Sequence, residues 1–388
     1  MQHSFTERIL SILSRHFGDL GALVFENSPL LQYLNVKTRS ATRGSKARGA
    51  FANHYALYVL VEDYINKGFL RESRAQYAKY EGARFTDLFR RQRELPFGAK
   101  LQNHALNSRL NDEFSKYFPT LDLRPIMRDQ KEQRYWINER LLIVTVAKSG
   151  RETTVNIAEA VIDIIDAYVE TKRSAFEGFL DACKQIAALG DEDAASAIEF
   201  VGGQLQPNVD ARVFEIVSFA ILKAHYGEQS IFWGWSADEL QQDLLMLYKT
   251  GRTNANDGGI DFVMKPLGRF FQVTETIDVN KYFLDIDKIQ RFPLTFVVKA
   301  TDDPDTVRAE LRDQARRKYG VDAVVNRYME AVEEIINIPL LISTFEALVT
   351  AGKLARVMDE IVLQSRLEFN YDEDQNEDGV IDLGEEAV

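Results

Sequence analysis

The chain has 388 residues, 45% apolar and 11% aromatic, enough to bury a large core and form two or three domains. A single cysteine, Cys183, excludes internal disulfides and any cysteine-rich zinc site, and fits a reducing cytoplasm. The net charge of −12 conceals an asymmetry: residues 1–151 hold 25 Lys and Arg against 15 Asp and Glu, a net of +10, leaving 22 against 44 for the rest.

A basic N-terminal part on an acidic remainder points to one polyanion-binding region. The chain opens on an amphipathic helix (Phe5, Ile9, Leu10, Ile12, Leu13) that lacks the apolar run and cleavage site of a signal peptide. No stretch approaches the roughly 20 apolar residues of a membrane span, so a soluble cytoplasmic protein without membrane contact is expected. Residues 37–48 carry five cations and no acid: Lys37, Arg39, Arg43, Lys46 and Arg48. Small hydroxyl residues and a glycine lie among them, which predicts an exposed loop able to contact phosphates. Helices are predicted over Tyr55–Ile65 and Glu81–Arg93, the second ending in Arg90, Arg91 and Arg93. Asn103, His104, Asn107, Ser108 and Arg109 add groups of the kind that read base edges, though they are also ordinary surface residues. Glu139–Ala147 reads as a strand. From Thr153 to Leu189 the apolar spacing is helical, suiting a connector or dimerisation element, and Gly202-Gly203 to Pro207-Asn208 marks a boundary.

The next stretch is predicted as helix Val209–His225, strand Gln229–Trp235, helix Ala237–Tyr248, a glycine-bearing loop to Gly259, and a hairpin. Helix Val279–Ile289 and strand Leu294–Ala300 follow. Within the hairpin, Phe262-Val263-Met264 and Phe270-Phe271-Gln272-Val273 flank Pro266-Leu267-Gly268. A turn at Leu267-Gly268 sets Asp261 opposite Thr274 and Val263 opposite Gln272. Alternation then gives one apolar face (Phe262, Met264, Phe271, Val273) and one with Asp261, Lys265, Gln272 and Thr274. In the first helix, Arg212, Glu215 and Ser218 make a narrow polar stripe, so Glu215 wants a cation or donor at the edge of buried surface; an ion pair with Arg212 is the plain alternative.

Three of these elements together resemble the PD-(D/E)XK nuclease superfamily and, within it, the Mrr-type restriction endonucleases, over roughly residues 206 to 300. They are the Phe214-Glu215 helix ending before Gly227, the Gly259-Ile260-Asp261 step, and Gln272-Val273-Thr274. The resemblance implies that Asp261 is the principal Mg²⁺ ligand, with Glu215 and the Val273 carbonyl completing the shell. Gln272 would supply an oxygen or orient water, and Thr274 would hydrogen-bond the attacking water. The family's lysine is Thr274 here, and a hydroxyl cannot supply its positive charge; Lys265, Lys223 and Lys281 are conceivable donors. One or two Mg²⁺ ions would lower the water's pKa and neutralise charge on the phosphodiester.

Helices are expected again over Val307–Tyr319, Val321–Ile335 and Leu340–Leu363. The C-terminus fits a calcium loop, with oxygens from Asp374, Asn376, Asp378, Val380 and Glu385, but no exiting helix follows, and a disordered acidic tail matches as well. The five histidines are scattered, and no phosphate-cradling P-loop or dinucleotide fingerprint occurs.

The expected fold is α/β (α+β): a mixed sheet with a central hairpin flanked by helices, plus a largely helical N-terminal domain and C-terminal helices. The expected divisions are 1–150 for DNA recognition, 151–205 as helical connector, 206–300 as catalytic core, 301–370 as helical extension and 371–388 as acidic tail. The expected function is a metal-dependent endonuclease of restriction type, acting on double-stranded DNA as a homodimer. The alternatives are a non-catalytic DNA-binding protein with a decayed core, and a helical scaffold or calcium-responsive interaction protein.

Overall fold

The computed structural model describes residues 2–41, 47–70, 74–99, 101–189, 193–250 and 260–369. Two units divide it, one running to Gly178 and the other from Phe179 to Glu368. The division falls inside one long helix, so the stretch expected as a connector contributes to both. Among the described residues no helix is long and apolar enough to cross a membrane.

The first unit is mainly helical: α1 (Thr6–Phe17), α2 (Gly21–Asn27), α3 (Pro29–Thr38), α4 (Ala47–Asn66), α5 (Arg74–Tyr77), α6 (Phe85–Glu94), α7 (Leu110–Tyr117) and the start of α8 (Ala158–Leu189). Short strands β1 (Ala83–Arg84), β2 (Ile126–Asp129) and β3 (Arg134–Ile137) form one sheet, and β4 (Ile143–Lys148) with β5 (Arg151–Asn156) a hairpin. Helix α1 buries Ile9, Ile12 and Leu13 on one stripe, the 3.6-residue spacing its sequence carries. Helix α4 is buried nearly all round, with Tyr55, Leu57, Val59, Leu60, Val61 and Tyr64 in the core. It also buries His54, whose ring nitrogens have no hydrogen-bond partner of ordinary geometry among the described residues. Desolvation first, and the Lys37 charge second, push this imidazole down to about 3, so it is neutral in the fold.

The second unit is built around one five-stranded sheet. Its elements are the end of α8, then α9 (Ala194–Gln204), α10 (Ala211–Tyr226), β6 (Ser230–Trp233), β7 (Gln241–Leu244), β8 (Met246–Lys249), β9 (Phe262–Lys265), β10 (Arg269–Thr274), α11 (Val279–Lys288), β11 (Leu294–Val298), α12 (Pro304–Tyr319), α13 (Asp322–Glu330), β12 (Val332–Ile336), α14 (Ile338–Thr350) and α15 (Leu354–Phe369). The strand order is β12-β11-β10-β9-β8, with β8, β9 and β10 antiparallel in turn and β10, β11 and β12 parallel. The β6–β7 hairpin forms a separate two-stranded sheet. One face of the large sheet (Leu247, Phe262, Met264, Phe271, Val297, Ile336) packs on α9, α10, α14 and α15. The other (Leu294, Phe296, Val298, Val332, Ile335) packs on α11, α12 and α13. This is a mixed α/β unit with helices on both sides of the sheet.

Several expectations need correction. Residues 237–248 form no long helix: after a 3-10 turn at Ala237–Glu239 they make β7 and β8. The leucines at 240, 244 and 247 suit a helix, but Leu245 and Leu247 are buried while Met246 and Tyr248 are exposed, the alternation that pairing with β9 imposes. The segment Val321–Ile335 is helical only to Glu330; the β-branched Val332, Ile335 and Ile336 belong to β12, which pairs with β11. The helix expected over Leu340–Leu363 is two helices broken at Gly352, whose φ of +70° favours glycine. The expected loop 37–48 contains the end of α3 and the start of α4. The β9–β10 turn spans Lys265–Gly268, so Val263 faces Phe270 and Phe262 faces Phe271. Because that shift is two residues, the face of every side chain survives it.

Candidate active site

The C-terminal ends of β8, β10 and β11 and the start of β9 lie along one edge of the large sheet, beside the start of α10. Asp210 caps that helix, its carboxylate accepting from Arg212 N at 2.9 Å and pairing with the Arg212 guanidinium at 3.2 Å. The carboxyl ends of parallel strands are where open α/β sheets place ligands, since the connections diverge there and leave backbone groups unclaimed.

Asp261 stands one residue before β9. Its N–H donates to Phe271 O at 2.9 Å and its C=O accepts from Thr250 N at 2.9 Å, which fixes the backbone on both sides. Its carboxylate Oδ2 accepts from Val273 N at 2.7 Å. The antiparallel ladder stops here, and the side chain takes the N–H that the next rung would have held. Extending the observed register by one residue puts Gln272, not Thr274, beside Asp261.

Gln272 is buried, with 8% of its surface exposed, and its Nε2 donates to Val273 O at 3.2 Å. Its Oε1 is buried with no hydrogen-bond partner among the described residues. A buried acceptor left unmatched costs about 1–3 kcal/mol, so this oxygen calls for a donor or a cation. Thr274, also buried, donates its hydroxyl to Thr276 O at 3.2 Å. The Val273 carbonyl, expected at a metal, is engaged by Gln272.

Glu215 lies in the second turn of α10, with Lys249 Nζ 2.9 Å from its Oε1. Lys249 faces Phe262, the residue after Asp261, across the β8–β9 ladder. The pair therefore reaches the same end of the sheet, on the face where α10 packs, while alternation assigns Asp261, Gln272 and Thr274 to the other face. The sequence pattern did not single out Lys249. Nor did it single out Lys299, just beyond β11, whose side chain is 2% exposed and whose ammonium lies 3.0 Å from Glu275 Oε1 and donates to Val209 O. An ammonium one residue past an apolar strand gives no periodic signal; only the parallel pairing of β10 with β11 brings it beside Glu275. Of the conceivable lysine donors, Lys223 pairs with Glu360 at 2.7 Å and Lys265 sits over the Tyr248 ring.

Among the described residues no three His, Cys, Asp or Glu side chains converge as a protein-only metal cage would. Magnesium does not require one, because it keeps several waters and takes one or two carboxylates. A carboxylate beside an orphan amide oxygen fits that donor set.

The cations expected at DNA divide into two kinds. Lys37 is engaged by Glu113, which also takes Arg109 at 2.8 Å, and Arg91 makes a two-bond fork with Glu62 at 2.8 and 2.9 Å. Arg39 is exposed at the end of α3. Arg90 and Arg93 line an open cleft of about 480 Å³ with Phe85, Thr86, Phe89, Glu94 and Ala99. There Phe85 and Phe89 stack at 5.9 Å and the Arg93 guanidinium lies over Phe89 at 5.8 Å, while Arg90 also pairs with Asp87. Arg43 and Lys46 lie outside the described residues, as do the calcium-loop residues Asp374, Asn376, Asp378, Val380 and Glu385; Arg48 is in the first turn of α4.

No family model, curated protein or solved structure matches the chain. The chemistry of the site is therefore argued from its own groups.

Proposed function

We propose that the chain is a metal-dependent DNA endonuclease of restriction type, acting on double-stranded DNA and working as a homodimer. The observation that carries this reading is that the register sets Asp261 opposite Gln272, whose buried Oε1 has no hydrogen-bond partner among the described residues, at the carboxyl edge of the sheet. Together they offer a hard cation one charged and one neutral oxygen, and leave the remaining positions to water and phosphate. Bound there, Mg²⁺ would polarise a phosphodiester and acidify a water. Lys249, held by Glu215, is a lysine at this end of the sheet, two strands from Thr274, the position where the family resemblance has lysine, and on the opposite face. In the first unit, the Phe85–Phe89 stack with Arg90 and Arg93 combines cations and aromatic faces, the pairing that nucleic-acid surfaces use.

A second reading, a DNA-binding protein that no longer cuts, is favoured by one observation: the Thr274 hydroxyl is spent on Thr276 O instead of facing a water. A supercoiled plasmid incubated with Mg²⁺ separates the two. Cleavage by the parent and not by Asp261→Ala supports the nuclease; salt-sensitive DNA binding by both proteins without cleavage supports the second reading.

A further inference from the structure

Among the described residues, the β6–β7 hairpin carries the most exposed aromatic side chains, Phe232 and Trp235. Two of the chain's three tryptophans are here: Trp233, 38% exposed, and Trp235, 93% exposed. Leaving an indole in water forgoes much of the largest apolar burial available to a side chain, which a fold accepts where the ring has a partner to meet. Together with Gly234, Glu239, Leu240 and Gln241, the two indoles line a cleft of about 350 Å³. The loop is built tightly: a Cβ at Gly234 would come within 2.4 Å of Glu239 O, and Glu239 N donates to Ser236 O at 3.2 Å. The close approach holds the Glu239 backbone against Gly234, the residue between the two tryptophans. Between Gly227 and Lys249 there is no Lys or Arg, while Asp238, Glu239 and Asp243 are all acidic. Among the described residues none of these three acids is in an ion pair.

We propose that the mouth of this hairpin is a cation–π site for an alkylated ammonium group, with Trp233 and Trp235 as its walls and Glu239 as its counter-charge. Indole faces attract cations through their quadrupole, and tryptophan does so best of the aromatic residues. The lining combines two tryptophans and Leu240 with one acid, Glu239, and one neutral amide, Gln241. A primary ammonium would give up three strong hydrogen bonds to water here for few replacements. A methylated ammonium has little hydration to lose and keeps its charge. Two sources share this chemistry: a free quaternary amine, and a methylated lysine side chain on a basic partner. The inference is independent of the sheet-edge site.

The test uses the full chain, with choline and its neutral isostere 3,3-dimethylbutan-1-ol titrated while tryptophan fluorescence is read. Choline is expected to quench saturably and to bind about tenfold more tightly than the isostere, the effect of a cation–π contact of ordinary strength. Trp235→Ala and Glu239→Gln should each weaken choline at least about fivefold. Trp235 is almost wholly in solvent, so its removal leaves the fold intact, and unchanged thermal melting checks that. A trimethyl-lysine peptide and its unmodified counterpart form the second arm. Tighter binding of the methylated peptide than of choline assigns the site to a protein partner, and the reverse assigns it to a free amine. Equal binding of choline and the isostere, no binding by either choline or the methylated peptide, or an unaltered affinity in Trp235→Ala would overturn the proposal.

Discussion

Replacing Asp261 by asparagine and, separately, by alanine distinguishes a metal ligand from a backbone latch. The carboxylate already has a structural task, accepting from Val273 N at 2.7 Å where the β9–β10 ladder ends. Alanine leaves that part-buried N–H without its acceptor and should cost about 1–3 kcal/mol in urea unfolding. Asparagine keeps a neutral oxygen in the same place and loses only the charge-assisted fraction, about 1 kcal/mol or less. Metal binding depends on charge instead. Mg²⁺ holds its protein through one or two carboxylates, so the amide should weaken Mn²⁺ binding, used as a calorimetric stand-in, by about tenfold or more. Plasmid cleavage should fall at least as far. The asparagine variant is thus expected to be nearly as stable as the parent and inactive. An asparagine variant that still nicks plasmid and binds Mn²⁺ at parental affinity would reduce Asp261 to a latch and refute the assignment.

Three further outcomes follow from the same geometry. Glu215 and Lys249 are each less than one-fifth exposed, so Glu215→Leu alone should cost about 2–4 kcal/mol by stranding the ammonium; adding Lys249→Met should recover most of it, which a double-mutant cycle in urea reads directly. His54 is held neutral, with its folded value near 3 against 6.5 unfolded, so its contribution is complete above pH 6.5 and lost as pH falls toward 3. The loss is roughly 1.4 kcal/mol per pH unit, or about 2 kcal/mol by pH 5; hydrogen exchange of α4 amides in the parent should show that slope, and His54→Leu should flatten it. In a salt titration of DNA binding, Arg90→Ala and Arg93→Ala should each lower the slope of log K against log salt by about one. Arg91→Ala should leave that slope alone, because its guanidinium is already committed to Glu62.

The chain's alternating and helical periods were enough to place the Phe262–Met264 and Phe270–Val273 strands and to sort their faces. They also set the helices around Phe214, Phe283 and Val307, because each buries a regular stripe. The charge split between the N-terminal part and the remainder was likewise plain. Three things were decided elsewhere. Gln241–Leu244 is strand because it pairs with β6, and Met246–Lys249 because the edge of β9 was open to it, which outweighs a leucine spacing that a helix would also accept. Lys249 and Lys299 reach the sheet edge through ladders that join residues far apart in the chain, and no local pattern encodes such a partner. The basic residues of the N-terminal part divide into committed and available ones only once Glu62 and Glu113 are folded against them. Local periodicity reports which face of an element is buried; which element it meets there is a property of the packed chain.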